Sequence, residues 1–200
     1  MTFIYQIQGA WYMTARQWKK TLIIGAVIAL TSQLYWDVFL DYFRISTSVI
    51  LLPVLLMTVG MELHTLTTCF VTSAIIFAVR FLIQMWYGNL AGETVLLLLP
   101  NALFYISYGI IFKLALGNRR IATLKKVVTA IFLADLGANI IEAEVQEFLQ
   151  FGRLNADIIK YLAAIAFIRT VIAGLILLGE QQYRALLKRT EHEQRYQRLL

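Results

Sequence analysis

The sequence predicts an all-α protein, a polytopic membrane bundle of six transmembrane helices with a cytoplasmic helical C-terminal extension. Three observations lead there. Of the 200 residues, 60% are hydrophobic and only 15% charged, with a mean hydropathy of +0.69, whereas soluble domains average about 45–50% apolar and about 25% charged. Apolar runs close to the roughly 20 residues that cross a bilayer recur along the chain. Basic residues gather beside alternate runs, as the orientation rule for membrane proteins requires.

The elements follow in order. Residues 1–20 read as an interfacial N-terminal helix, with Phe3, Ile4, Ile7, Trp11 and Trp18 as apolar bulk and Arg16, Lys19 and Lys20 as anchor. Met1 to Gln8 carries no positive charge, so a cleavable signal peptide is not expected. The transmembrane domain covers 21–179. Its spans are expected over Thr21 to Leu40, Thr47 to Met61 (short, with Pro53), Thr65 to Trp86, Thr94 to Leu116 (with Pro100 near its start), Leu124 to Ala143 and Ile158 to Leu178. The fifth is the most polar. Pro100 is expected to free a backbone carbonyl beside the polar group Asn101, Tyr105, Ser107 and Tyr108. Gly25 and Ala29 form a small-xxx-small step for close helix approach.

Charge orients the bundle. With both termini in the cytoplasm, thirteen of the eighteen basic residues lie inside, around Arg16–Lys20, Lys113–Lys126 and Arg184–Arg198. The opposite loops carry Asp37, Asp41, Glu93, Glu142, Glu144, Glu147 and Asp157. Six spans keep this sidedness and five break it. The net charge of +6 is thereby assigned to membrane orientation, and no nucleic acid is expected as a partner. From Ile158 the chain reads as one helix that leaves the membrane, and residues 180–200 form a coiled-coil-like signalling helix through which the chain would dimerise. A solvated basic helix on the membrane surface is the plainer alternative. The uncapped "RLL" end suggests a chain that continues.

Charges at bilayer depth need a partner or water. Arg44 follows Asp41 at the outer mouth; it either anchors a helix start or offers its planar guanidinium to a carboxylate or phosphate. Arg80 reads first as a snorkelling side chain, with Gln84, Trp86 and Tyr87 beside it. Asp135 and Arg169 fall at similar depth on consecutive antiparallel spans and are candidates for an intramembrane ion pair. Asp37, Asp41, Arg44, Arg80, Asn101 and Tyr105 are the candidate ligand contacts. The single cysteine, Cys69, reads as a small core residue; one cysteine makes no disulfide within a chain. His64 and His192 show no catalytic setting, and no phosphate loop or HExxH zinc motif occurs. No catalytic residue, metal or cofactor is expected in these 200 residues.

The stretch "FRISTSVILLPVLLMTVGMELHTLTTCFVTSAIIFAVRFLI" (43–83), with "LLPNALFYISYGIIFKLAL" after it, resembles two related membrane modules. One is the multi-span sensor region of bacterial, clostridial-type histidine kinases; the tail "EHEQRYQRLL" resembles the helix that leads into their kinase core. The other is the substrate-binding S component of energy-coupling-factor vitamin transporters. The inner turn "GMELHT" departs from the Gly-Pro-x-x-Gly pattern common in S components, and the charged tail is an addition to them. The first resemblance implies a sensory module in the bacterial cytoplasmic membrane, relaying the binding of an unknown small molecule to a cytoplasmic output domain. The second implies vitamin uptake with a transporter partner.

Overall fold

The structure, a computed structural model, describes residues 13–38, 43–59, 63–88, 92–117, 122–151 and 159–197. These residues form a helical bundle with one small β-hairpin at one end. Helix α1 (Ala15–Thr31) starts at a capping box: the Thr14 hydroxyl accepts from the Gln17 N–H at 3.3 Å, and the Gln17 side chain accepts from the Thr14 N–H at 2.9 Å. This cap sets the first helix about a turn and a half earlier than the expected Thr21. Arg16, Lys19 and Lys20 consequently form its opening turns rather than a separate interfacial helix. Residues 1–12 lie outside the described residues.

The expected end of that span is also replaced. After Thr31 the chain forms β1 (Tyr35–Val38) and β2 (Phe43–Ser46), paired antiparallel with Asp37 opposite Arg44. β-Branched and aromatic residues in both segments favour the pleated form. The Thr47 N–H donates to the Leu34 carbonyl at 3.2 Å and closes the hairpin base. An open sheet edge is not tolerated against hydrocarbon, so the hairpin marks an end of the bundle that lies outside the bilayer core or under protein cover. Asp41 falls outside the described residues.

Helix α2 (Thr47–Thr58) has 12 residues, about 18 Å of helix. That is short for a hydrocarbon core of about 30 Å, and α2 is correspondingly wrapped by protein: Ser48, Val49, Leu52, Pro53, Val54 and Leu56 are all buried. It packs against α1 and the last helix. Helix α3 (Thr65–Trp86) is a full span and finishes on the exposed aromatics Trp86 and Tyr87, the residues favoured at the membrane–water interface. The expected fourth span is broken into α4 (Gly92–Leu96) and α5 (Leu99–Leu116). Pro100 sits in the first turn of α5, where its missing N–H has no intrahelical partner to lose. Helix α6 (Leu124–Phe151) runs on past the expected Ala143, and α7 (Ile159–Gln197) is continuous over 39 residues.

Among the described residues, three helices are long and apolar enough to cross a membrane: α3, α5 and the Ile159–Leu187 part of α7. Of the other expected spans, α1 and α2 are shorter, and α6 carries Lys125, Lys126, Asp135 and Glu142. The outward faces agree with a lipid solvent. Leu30, Phe70, Leu114 and Phe167 are each at least 60% exposed, and a helix that is apolar all round belongs in a core or a membrane.

The buried faces meet through small residues. On α1 they are Thr21, Ile24, Gly25, Ile28 and Ala29, one helical stripe against α3. At the α3–α5 crossing, a Cβ on Gly109 would lie 2.6 Å from Cys69 Cβ and 2.8 Å from its sulfur. A Cβ on Gly25 would lie 2.6 Å from only the tip of Ile75. The Ser73 hydroxyl donates to the Ala102 carbonyl at 2.8 Å across the same α3–α5 contact. An aromatic ladder, Phe104–Tyr108–Phe112, fills the inner face of α5 with centroids about 6 Å apart.

These two glycines should respond differently. Gly109→Ala forces the α3 and α5 backbones apart and is expected to cost about 1–3 kcal/mol, the usual range for overpacking. Gly25→Ala displaces one flexible methyl group and should cost clearly less. Thermal unfolding of both variants in the same detergent micelle tests the order; equal losses would refute this account of the α3–α5 crossing.

Candidate functional site

Polar side chains that hydrocarbon would not solvate gather at the hairpin end of the bundle. They line a cavity of about 560 Å³, within the roughly 300–1,000 Å³ range of small-molecule sites. The C-terminal end of α1 supplies Ser32, with Gln33 next to it. Ser46 and Val49 come from the hairpin base and the start of α2, and Arg80, Ile83 and Gln84 from the last third of α3. The first turns of α5 give Asn101, Phe104 and Tyr105; α6 gives Asn139, Glu142, Ala143 and Gln146; α7 gives Leu162 and Arg169. Successive long helices thus contribute alternately their C-terminal and N-terminal halves. The chain runs up and down through the bundle, and the cavity collects one end of each of α1, α2, α3, α5, α6 and α7.

The cavity floor is an ion-pair cluster. An Arg169 Nη1–H donates to Asp135 Oδ1 at 3.2 Å and to Asn139 Oδ1 at 3.3 Å. The Asn139 amide donates to Asp135 Oδ1 and to the Asp135 carbonyl, both at 2.6 Å. All three side chains are buried, Asp135 almost completely. A carboxylate and a guanidinium withdrawn from water cost several kcal/mol each unless their geometry is good; here the amide holds the carboxylate while the arginine meets both.

A second polar chain ties the cavity wall to the hairpin. Ser46 Oγ lies 2.7 Å from Ser48 Oγ, and Ser48 Oγ lies 2.8 Å from the Tyr105 hydroxyl. This links β2, α2 and α5 through three hydroxyls in a row.

The residues singled out from the sequence divide as follows. Arg80, Asn101 and Tyr105 line the cavity together. Arg80 lines the cavity, and its Nε is buried with no hydrogen-bond partner among the described residues. Asp135 and Arg169 meet directly, and Arg169 also faces the cavity. Asp37 and Arg44 are paired in register on the hairpin rather than placed in an irregular loop. Glu142 and Gln146, read from the sequence as outer-loop residues or passed over, are wall residues. Their signal was present: Asp135, Asn139, Glu142 and Gln146 recur at steps of four, three and four, one face of an otherwise apolar helix. Among the described residues, no group of three or more His, Cys, Asp and Glu side chains gathers as a metal site.

A scan of protein-family models, a search of curated proteins and a search of solved structures each find no match to this chain.

The floor cluster makes a double-mutant prediction. Arg169→Leu alone strands the buried Asp135 carboxylate and is expected to cost about 3–5 kcal/mol. Asp135→Leu combined with Arg169→Leu removes both charges and should recover most of that loss. Chemical or thermal unfolding of the unmutated chain, Arg169→Leu, Asp135→Leu and the double variant in lipid nanodiscs measures it; additive losses would show that the two side chains do not act as a pair.

Proposed function

We propose that the chain is the membrane-embedded sensory module of a two-component histidine kinase. It crosses the bacterial cytoplasmic membrane six times, keeps both termini in the cytoplasm and turns its polar cavity outward. The observation that carries this reading is α7. Arg169 lines the cavity, and the same uninterrupted helix continues to Gln197. Those 28 further residues make about 42 Å of helix. Roughly the first 20 residues of α7 suffice to cross the bilayer, and after Gly179 the helix turns polar, with Glu180, Gln181, Gln182 and Arg184. A rigid rod anchored in a binding cavity carries rotation or translation to whatever its far end joins.

Helix α2 offers a second link between the two ends. It starts at the Ser46–Ser48–Tyr105 chain beside the cavity. At its other end the Thr58 carbonyl accepts a hydrogen bond from Arg184 of α7 at 3.4 Å, and Arg184 also pairs with Glu180. A cation at the C-terminus of α2 is favoured by the helix dipole. A small molecule that binds two α2–α7 arrangements with different affinity shifts their populations. Catalysis would belong to an output domain, and the 180–200 helix would pair with its copy in a homodimer.

The cavity by itself favours a second reading, the S component of a vitamin transporter, which captures a solute and passes it to partner subunits. That function has no physical use for 18 helical residues beyond the membrane.

Two measurements test the proposal. Alkaline phosphatase fused after Gly88 should be active, and fused after Gly117 inactive; the reverse pattern, or activity at both, refutes the six-span orientation. The second measurement joins the chain to a histidine-kinase core and inserts residues after Gly179. One inserted residue rotates the tail by about 100° and seven nearly restore its phase. Autophosphorylation should change severalfold with one inserted residue and return with seven. Output that ignores phase removes the sensor reading and leaves the transporter reading, for which co-purifying partner subunits are the check.

A further inference from the structure

Two side chains of opposite charge line the cavity without forming an ion pair among the described residues. Asp135 and Arg169 cancel at the floor. Arg80 on α3 and Glu142 on α6 also line the cavity. Among the described residues neither forms an ion pair with the other or with any third group. The Arg80 Nε is buried without a hydrogen-bond partner. Two opposite charges held apart at this depth are costly unless water or a solute meets both.

We propose that the cavity takes a small zwitterion of the α-amino-acid class, its carboxylate on Arg80 and its ammonium on Glu142. A planar guanidinium suits a carboxylate through paired N–H donors. A carboxylate accepts from an ammonium in the same charge-assisted way. Gln84, Asn101 and Gln146 supply donors and acceptors for further polar groups, while Ile83, Phe104 and Leu162 give an apolar wall to a side chain. A simple anion leaves Glu142 without a partner, and a simple cation leaves Arg80 so. Arg80, Arg169 and Glu142 line the cavity, and Asp135, behind the lining, offsets Arg169; the group as a whole carries no net charge and favours a ligand with none.

This assignment rests on the cavity being a binding site, as the proposed function has it. The experiment is thermal stabilisation and titration calorimetry of the purified chain in nanodiscs against the twenty L-amino acids at millimolar concentration. Each binder is then compared with its N-acetyl and carboxamide derivatives. At least one amino acid should bind, and blocking either end should weaken it about tenfold or more, the scale of a lost charge-assisted hydrogen bond. Arg80→Gln should abolish the preference for free acid over carboxamide, and Glu142→Gln the preference for free amine over N-acetyl. If no amino acid binds, or if a blocked derivative binds as tightly as the parent, the zwitterion assignment is overturned. The comparison of derivatives uses the unmutated chain, so it stands even if a variant fails to fold. The insertion series in α7 involves no ligand: its failure removes the sensor reading without touching this assignment, and failure of the amino-acid panel does the reverse.

Discussion

The Asp135–Arg169–Asn139 cluster is the interaction on which the arrangement depends. Hydrocarbon gives no directional force between helices, because lipid tails are as apolar as leucine. A bundle with oily outer faces therefore needs something to choose its register. Two fully buried charges 3.2 Å apart make that choice for α6 and α7. Sliding α7 by one residue along α6 moves its guanidinium about 1.5 Å along the axis and swings it about 100° around it. Either displacement strands the Asp135 carboxylate. The pair thus sets both the depth and the rotation of α7, and with them the position of Arg169 at the cavity floor.

The same constraint explains why the cavity lies at one end. Polar groups at the bundle centre must find protein partners, as Asp135 Oδ1 does in the floor cluster. Toward the hairpin end water competes, and polar side chains such as Gln84 and Gln146 are tolerated along the cavity wall. Short α2 sits where this gradient needs it. A helix of 12 residues wrapped by its neighbours leaves room above it, and the hairpin and the Ser46–Ser48–Tyr105 hydroxyls occupy part of that room. A second full-length span in its place would fill the space that is now the cavity wall.

The legible and illegible parts of the sequence separate along physical lines. The long helices were legible because hydropathy over about 20 residues averages out local detail. The depth match of Asp135 and Arg169 followed from their places near the middle of successive runs. The start of α1 was not legible from hydropathy, since a Thr14–Gln17 cap, a matter of two hydrogen bonds, decides it. The hairpin escaped because two four-residue strands are too short for an alternating pattern to stand out beside apolar runs. The role of Arg80 turned on which way a long side chain leans, and no one-dimensional pattern contains that. Glu142 falls one residue inside the expected span end at Ala143 and was grouped with the loop acids that follow it, while the helix continues to Phe151. A carboxylate assigned to a loop needs no partner; the same carboxylate on the inner face of a helix does.

Helix α7 then unites the two halves of the argument. Its inner part is held by one buried ion pair, and its outer turns by the lighter contact of Arg184 with the Thr58 carbonyl. The first resists movement strongly; the second, partly exposed, yields for about a kcal/mol or less. A rod gripped firmly at one point and loosely further along pivots at the firm point. On the sensor reading proposed above, small adjustments of α2 at the cavity would reach the tail through the Arg184 contact, leaving the Asp135–Arg169 pair in place. On that reading the register of the bundle and its response would rest on different residues of the same helix.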